Sequence, residues 1–536
     1  MPNAPVSNAS RCALVLTGLL GAFSPAMAQT SGTAEPEPGM WSFDGELNGR
    51  PGRSLHIDTQ VGRAMAVSYL GYRADGSSFF LQAGGTRPEG SSSFNGTLRE
   101  FRNGPVIGSG AGQGEEAGAA GPLQVVFDTP TSGTVTLPGD TPRRISRYRY
   151  EDPTDRLTRY PIGVRTYSAV AAAQNDPLEL SLKLQNGQFA METRNPQSRL
   201  GFPRCSYAGA SQPAGAGVSS DGTYTCTTEA GDTTTGTYRA EHFVMQADGL
   251  FKGTLWRDAV RSELFGGCLG GAVLIGWPSL CDFGRNGVKT EPEPGIWGFE
   301  GEVNGRPGRS LQIDTQQGKA MVVTYVGYRS DGSSLFLQAG GLRDEGQTAF
   351  SGDLREFRNG PVLGGSQGNG EEAADLGQMR ITFDSATTGT VTLPGDTPRR
   401  IARFQYEDHT ARFNQNYRSQ NIGGSSVTGF PTVLSFSARD GQFRLNYGYN
   451  GAQSCIYTGA YRVAGRGIET SGTYSCNETQ PVAYDYLRFE VDEKGHLLSH
   501  LNPGRPSDIG ICVRPDITAP GLQRACTSAE LNTLAP

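Results

Sequence analysis

The sequence predicts an all-β protein built from tandem antiparallel meander barrels or sandwiches. The 536 residues include 75 Gly and 32 Pro, and this abundance of turn formers suits many short strands. Runs of alternating apolar and polar residues recur between turn signals such as Asn-Gly and Asp-Gly, which is typical of hairpins. No window combines sustained helical periodicity with helix caps. These observations together favour an all-β fold.

The chain contains an internal duplication with an offset of 256 residues (291 − 35). Glu35-Pro-Glu-Pro-Gly39 returns at 291–295, and the match runs without a gap to Asp152 and Asp408, with roughly two thirds of positions identical. The segments that follow share a weaker pattern, in which Cys-x-Tyr-x-Gly precedes Gly-Thr-Tyr-x-Cys. The duplication predicts an A–B–A′–B′ order: signal peptide 1–28, linker 29–34, domain A 35–152, cysteine-bearing domain B 153–290, domain A′ 291–408 and cysteine-bearing domain B′ 409–536.

Turn chemistry and alternation place the strands within these units. In unit A, the first two strands are joined through the Asn48-Gly49 turn, and a hairpin crosses Asp75-Gly76. We predict about eight strands in this unit, at 40–43, 54–57, 63–72, 78–83, 94–101, 123–127, 133–137 and 144–150. The Gly- and Ala-rich stretch 108–121, matched by 364–376, is then a long loop. The same pattern predicts strands in unit B at 178–184, 188–192, 222–226, 242–246 and 249–256.

The N-terminus has the order of a secretory signal peptide. Arg11 precedes the short apolar stretch 12–23, and Ala26-Met27-Ala28 supplies small residues before a cleavage point. The apolar stretch is too short to span a bilayer, and no later segment offers about 20 apolar residues. We therefore expect an exported protein, periplasmic or extracellular, with no transmembrane segment in the mature chain.

The cysteines predict a disulfide framework. Removal of Cys12 leaves eight cysteines, four in each half, and an even number in an exported protein favours disulfides. A separation of 21 residues opens both sets (226 − 205 and 476 − 455). Pairing of neighbours is our prediction, and joining the first cysteine of each set to the last remains an alternative. The predicted pairs are Cys205–Cys226, Cys268–Cys281, Cys455–Cys476 and Cys512–Cys526.

Composition argues against several functional classes. The balance of 47 Lys+Arg and 53 Asp+Glu argues against a generally basic nucleic-acid-binding protein. No Cys-x-x-Cys with a nearby His supports zinc, so neither metal nor cofactor is predicted. Among the five histidines, His56 corresponds to Gln312 and His409 to Pro153, which argues against a duplicated histidine site. No Gly-x-Ser-x-Gly elbow of a serine hydrolase occurs.

Paired carboxylates are the better enzymatic candidate. Glu115-Glu116 returns as Glu371-Glu372 in otherwise variable segments, and glycosidases use two carboxyl groups that flank one bond. Adjacent residues of an extended segment point apart, however, and such pairs commonly keep a loop solvated. The sequence therefore favours a non-catalytic protein.

Arginine and aromatic residues cluster at the end of each A unit. Strand alternation places Arg143 and Arg147 on one face and Tyr148 on the other. Arginine offers a planar fork for carboxylate, sulfate or phosphate, and aromatic rings offer stacking surfaces for sugars. The predicted ligand-binding residues are Arg143, Arg147, Tyr148, Arg399, Arg403 and Phe404. The alternative interpretation is that the arginines pair with local acids, including Asp140, Glu151 and Asp152, and cover a strand edge.

Short motifs in both halves resemble a known class of domains. Gly39-Met-Trp41 and the segment from Tyr69 to Gly76 resemble tandem β-rich repeat domains of exported bacterial proteins of unknown function, and Cys455–Gly459 with Gly472–Cys476 resembles the cysteine-bearing modules that accompany them. The resemblance implies a secreted β-rich architecture and brings no catalytic residue.

These observations lead to one expected function and two alternatives. We expect a non-catalytic binding or structural module of the bacterial envelope or cell exterior, with a polysaccharide or another cell-surface polymer as partner. Tandem copies raise the effective concentration for a repetitive ligand. The alternatives are a carbohydrate-active or other envelope hydrolase that uses acidic residues, and a structural surface component without a small ligand.

Overall fold

The computed structural model is almost entirely antiparallel β-sheet, which confirms the predicted fold class. The structure describes residues 35–60, 62–88, 91–109, 112–167, 177–195, 203–246, 249–268, 291–316, 318–343, 348–365, 368–421, 432–449, 453–477, 479–492, 494–502, 505–515, 523–526 and 528–532. The predicted signal peptide 1–28 and linker 29–34 lie outside these ranges.

Four rings of eight strands follow one another along the chain, and we name them barrels A, B, A′ and B′. Each ring is a meander closed by pairing of its first and last strands, which removes free sheet edges. Barrel A consists of β1 Gly39–Phe43, β2 Ser54–Thr59, β3 Ala64–Tyr72, β4 Ser78–Thr86, β5 Ser93–Arg102, β6 Glu115–Thr129, β7 Ser132–Thr136 and β8 Arg143–Arg147, with a 3₁₀ helix at Asp44–Glu46.

Barrel B follows a short helix, α1 Thr154–Thr158, and has more strands than the sequence indicated. Its strands are β9 Ile162–Tyr167, β10 Pro177–Gln185, β11 Gln188–Arg194, β12 Arg204–Ala214, β13 Gly217–Thr227, β14 Thr233–Met245, β15 Leu250–Arg257 and β16 Val260–Cys268. Three of them, β9, β12 and β16, have no counterpart in the prediction.

The second half repeats this order. Barrel A′ consists of β17 Gly295–Phe299, β18 Ser310–Thr315, β19 Ala320–Tyr328, β20 Ser334–Leu342, β21 Ala349–Arg358, β22 Glu371–Phe383, β23 Thr388–Thr392 and β24 Arg399–Arg403. Barrel B′ follows a 3₁₀ helix at Thr410–Phe413 and consists of β25 Asn416–Asn421, β26 Thr432–Arg439, β27 Gln442–Tyr449, β28 Gln453–Ala464, β29 Gly467–Cys476, β30 Val482–Val491, β31 His496–Asn502 and β32 Arg505–Pro515. A ninth strand, β33 Gln523–Ala525, pairs with β32 and precedes α2 Ser528–Leu531.

The interior of barrel A is filled by the inward-facing residues of its strands. Trp41 is fully buried, and its indole N–H donates to the carbonyl oxygen of Glu37 at 3.0 Å, so its one polar atom is satisfied. Trp297 repeats this contact with Glu293 in barrel A′ at 3.0 Å. The side chains that fill the barrel form one apolar cluster with Trp41. The interior of barrel A is therefore packed with side chains.

Strand β3 is buried on both of its faces. Val67 and Tyr69 point into barrel A, whereas Leu70 and Tyr72 point outward and pack against the matching residues of barrel A′. A strand that is buried on both faces carries apolar residues on both, and the segment from Met65 to Tyr72 is apolar apart from Ser68 and Gly71. The outer faces of barrels A and A′ therefore form a second hydrophobic core between them.

Two arms cross between these barrels. Arm A consists of the described residues 103–109 and 112–114, and arm A′ consists of the described residues 359–365 and 368–370. The backbone N–H of Asn103 donates to the carbonyl of Gly332 at 2.8 Å, and Gly104 lies against the ring of Tyr328. Ile107 packs against the core of barrel A′, and Leu363 of arm A′ packs against the core of barrel A. Each A barrel is therefore partly covered by a segment of the other.

The glycine- and alanine-rich segment differs from its predicted structure. The loop expected at 108–121 is strand β6 from Glu115 onward, and the matching segment belongs to β22 from Glu371. The connecting loop is arm A, which lies earlier in the chain. The sequence did not show this strand because its first part has no alternation of apolar and polar residues. Six consecutive residues from Glu115 are exposed, so neither face is apolar.

Three of the predicted disulfides are present: Cys205–Cys226, Cys455–Cys476 and Cys512–Cys526. The first two each join residues that lie directly opposite on neighbouring strands. Cys268 is also disulfide-bonded, and its predicted partner Cys281 lies outside the described residues. None of the described helices is long and apolar enough to cross a membrane.

Substitution of Gly104 by Ala tests the arm contact. A Cβ atom at this position would lie 1.9 Å from the ring of Tyr328, whereas Gly84 has no atom within 4 Å of such a Cβ. We expect Gly104→Ala to lower the free energy of unfolding by about 1–3 kcal/mol because the arm is forced off the ring. The control Gly84→Ala should be neutral or stabilising by up to about 1 kcal/mol.

The measurement is the urea midpoint of unfolding for both variants. Gly360→Ala should behave like Gly104→Ala, because its Cβ would lie 2.0 Å from the ring of Tyr72. Equal midpoints for Gly104→Ala and Gly84→Ala would contradict the described arm contact.

Candidate functional site

The predicted ligand-binding arginine Arg147 is buried between barrels A and A′. Its Nη1 donates to Oδ2 of Asp314 on β18 at 2.8 Å, and its Nε lies 3.2 Å from Oε1 of Glu37. Burial opposes the charge of the guanidinium, but the attraction of Asp314 and Glu37 raises the pKa of Arg147 above its usual range. Arg147 is therefore an ionised residue of the contact between two barrels.

Arg403 makes the same contacts on the other side. Its Nη1 donates to Oδ2 of Asp58 on β2 at 2.8 Å, and its Nε lies 3.6 Å from Glu293. The side chains of Arg147 and Arg403 have no exposed area. Both residues are therefore removed from the predicted ligand-binding groove, because each guanidinium is bound to an aspartate of the other barrel and is shielded from solvent.

Arg143 and Arg399 pair with local acids, as the alternative interpretation expected. Arg143 Nε donates to Oδ2 of Asp140 at 2.9 Å, and Arg399 makes the matching contact with Asp396 at 3.1 Å. About a third of each arginine side chain is exposed. These arginines fix the turn before the last strand of each A barrel and lie on the opposite strand face from Tyr148 and Phe404.

The predicted aromatic residues lie on the outer face of the same strands. Phe404 is 37% exposed and Val303 is 62% exposed, and both lie next to Gly298 on β17. Arg400 precedes Phe404 on this face and is about half exposed. We call Val303, Arg400 and Phe404 outer patch A′.

The equivalent residues of barrel A form outer patch A, which we define as Leu47, Arg144 and Tyr148. Leu47 is 59% exposed, Tyr148 is half-buried, and Arg144 is about half exposed. Arg144 pairs with Asp128, and Arg400 pairs with Asp384. The structure therefore places an aromatic ring, an aliphatic side chain and an accessible arginine on the same outer region of both A barrels.

The paired carboxylates do not form an acid–base site. Glu115 and Glu116 bind Arg102 and Arg99 across β5 and β6, and Glu371 and Glu372 bind the matching arginines. Hydrogen bonds from Arg102 and Asn103 lower the pKa of Glu115, which opposes a role as a general acid. Each glutamate belongs to an exposed cross-strand ion pair.

Sequence reasoning missed the acidic partners of the buried arginines. Glu37 accepts from the backbone N–H of Ala216 at 3.1 Å and contacts Nε2 of His242 at 2.8 Å, so it joins barrel A to barrel B. Glu293 makes matching contacts with the N–H of Arg466 at 3.1 Å and with Arg488. The repeated Glu-Pro-Glu-Pro-Gly motif was the available signal, because it keeps charged residues directly before a buried strand.

His56 lies in the same junction and is 2% exposed. Burial lowers its pKa to about 3, and the neighbouring guanidinium groups of Arg147 and Arg403 contribute in the same direction. The equivalent residue of barrel A′ is Gln312. His56 is therefore neutral at pH 7.

Within the described ranges, no group of three or more His, Cys, Asp and Glu residues is arranged to hold a metal ion. Outer patches A and A′ can make surface contacts with a ligand through aromatic stacking and guanidinium hydrogen bonds.

Comparison with known proteins gives no family for this chain. No protein-family model matches it, and no curated protein matches it significantly. Among solved structures, one match is the DNA polymerase III subunit beta from Borrelia burgdorferi in complex with a natural product, with 7% sequence identity and a TM-score of 0.09. The match covers 68% of this chain and 91% of that chain, and such a low TM-score supports no conclusion about fold or function.

Substitution of His56 by Gln places in barrel A the residue that barrel A′ already has. The folded state holds the pKa of His56 at about 3, below the value of about 6.5 for an unfolded chain. The unfolded state therefore binds the proton first as the pH falls. We expect wild type to lose stability relative to His56→Gln below about pH 6.5, by up to about 1.4 kcal/mol per pH unit.

The measurement is the free energy of urea unfolding for both proteins at several pH values from 7.5 to 4.5. Other titrating groups are common to both proteins and cancel in the difference. Parallel profiles over this range would show that His56 is not held neutral in the folded chain.

Proposed function

We propose that this chain is an exported, non-catalytic binding protein that holds a polysaccharide or related surface polymer on outer patches A and A′. The observation that carries this proposal is the duplicated combination of an aromatic ring, an aliphatic side chain and an accessible arginine. Aromatic faces stack on sugar rings, and guanidinium groups bind carboxylate and sulfate substituents.

The ion pairs of the patches leave their arginines available to a ligand. Arg144 and Arg400 are paired with Asp128 and Asp384 at the surface, with about half of each side chain exposed. Surface salt bridges of this kind contribute about 0–1 kcal/mol. An anionic group of a polymer can therefore replace either aspartate at little cost, whereas the buried pairs of Arg147 and Arg403 cannot open without separating the barrels.

The packed interiors support a surface mode of binding. The apolar clusters of barrels A and A′ fill both interiors with side chains, and the glutamate pairs are occupied by arginines. Two equivalent patches on one chain favour a repetitive polymer, because binding at one patch raises the effective concentration at the other. The disulfides support an oxidising compartment outside the cytoplasm.

The test is binding of the mature protein to arrays of neutral and anionic polysaccharides, beside Tyr148→Ala, Phe404→Ala and their double variant. We expect each single variant to lose at least tenfold in apparent affinity, and the double variant to lose binding. The matched control is Val260→Ala with Val482→Ala, since both are exposed apolar residues of barrels B and B′; it should bind as wild type.

Arg144→Gln with Arg400→Gln separates anionic from neutral ligands. For an anionic polymer, this variant should bind more weakly and with less dependence on salt concentration. Absence of binding by wild type to every polymer, or full binding by the double aromatic variant, would overturn the proposed function.

A further inference from the structure

We infer that the face joining barrels A and A′ accepts a second copy of this chain, so that two chains can exchange halves and form a dimer in trans. The exchanging halves are residues 35–268 and 291–532, which residues 269–290 connect in the sequence. This inference concerns self-association and is independent of the proposed polymer binding.

The contacts of this face occur in matched pairs. A donor in barrel A binds an acceptor in barrel A′, and the equivalent donor in barrel A′ binds the equivalent acceptor in barrel A. This is the pattern of an isologous dimer interface. The matched pairs are Arg147–Asp314 with Arg403–Asp58, Asn103–Gly332 with Asn359–Gly76, and Arg73–Ser334 with Arg329–Ser78.

The apolar part of the face has the same symmetry. Tyr72 packs against Phe336 with ring centroids 5.9 Å apart, and Tyr328 packs against Phe80 at 6.2 Å. Ile107 of barrel A packs against the core of barrel A′, and the equivalent Leu363 packs against the core of barrel A. The barrels are therefore joined as two copies of one subunit, and a peptide connection is the main difference from a homodimer.

Contacts between barrels B and B′ cross between the same halves. Lys494 Nζ donates to Oε2 of Glu263 at 2.9 Å, and the ring of His496 stacks on Phe265 at 5.3 Å. In an exchanged dimer, each first half meets a second half from the other chain, so these contacts form again. The exchanged dimer therefore keeps the interbarrel contacts of the monomer.

Tethering decides between the two states. Within one chain, the connection gives the second half a high effective concentration and favours the monomer. Domain exchange becomes favoured when the contact within one chain is damaged but the contact between two different chains is intact. The buried pair Arg147–Asp314 allows this situation to be constructed, because its two residues lie in different halves.

The experiment uses two full-length variants, Arg147→Asp and Asp314→Arg. Alone, each variant places like charges at one buried position of the A–A′ face. In an exchanged dimer of one chain of each variant, position 147 faces an opposite charge at position 314 at both faces. Co-refolding of the mixture should give a heterodimer with twice the monomer mass by light scattering, as the dominant species.

Two controls define the result. The variant with both changes in one chain should be monomeric, because its 147–314 pair is restored internally, but it should be less stable than wild type because Glu37 then lies beside a second carboxylate. Arg144→Asp mixed with Asp128→Arg should give no heterodimer, since these exposed residues form a pair within barrel A alone. Recovery of folded heterodimer from variants that do not fold singly would also support the inference.

A second pair of variants repeats the test without charge. Gly104→Ala clashes with Tyr328, and Tyr328→Ala removes that ring, so the two chains complement each other in trans. A mixture of these variants should also give a heterodimer of doubled mass. The inference is overturned if both mixtures give only the species formed by each variant alone.

Discussion

The buried ion pairs between barrels A and A′ determine how the rest of the chain is arranged. Arg147 with Asp314 and Arg403 with Asp58 place four charges away from solvent, and the desolvation of such charges is costly unless each is well paired. Glu37 and Glu293 extend the pairs to barrels B and B′. One charged network therefore joins barrel A to barrel A′ and each A barrel to its own B barrel.

This network also determines which surface is left for function. The outer faces of β2, β3 and β4 are used in the contact between barrels A and A′, and the arms cover part of each core. Outer patches A and A′, next to β1 and β8 and their counterparts, stay partly exposed. The location of the proposed binding surface is thus a consequence of barrel packing, because burial of one set of outer faces leaves the other set accessible.

Local sequence signals predicted the strands of the A barrels but not the partners of their charged residues. The Asp75-Gly76 hairpin, the alternation of β8 and the equal spacing of the first cysteine pairs all depend on neighbouring residues. The first part of strand β6, residues 115–121, was predicted as a loop because its alanines and glycines mark no apolar face. The partner of Arg147 is 167 residues away, and no local pattern encodes a contact at that distance. The two-sided burial of β3 has a local signal, because residues 65–72 are apolar apart from Ser68 and Gly71.

The duplication changes how agreement between the two copies must be interpreted. Arginine at both 147 and 403 suggested a ligand site used twice, yet each arginine is retained opposite an aspartate of the other copy. In a tandem protein whose copies pack against each other in matched pairs, a contact residue is the same in both copies because each copy uses it to bind the other. The outer patches differ, since Tyr148 corresponds to Phe404 and Leu47 to Val303, while their chemistry is preserved. The proposed ligand surface thus rests on similar character at exposed positions, whereas the identity of Arg147 with Arg403 and of Asp58 with Asp314 reflects the contact between the two halves.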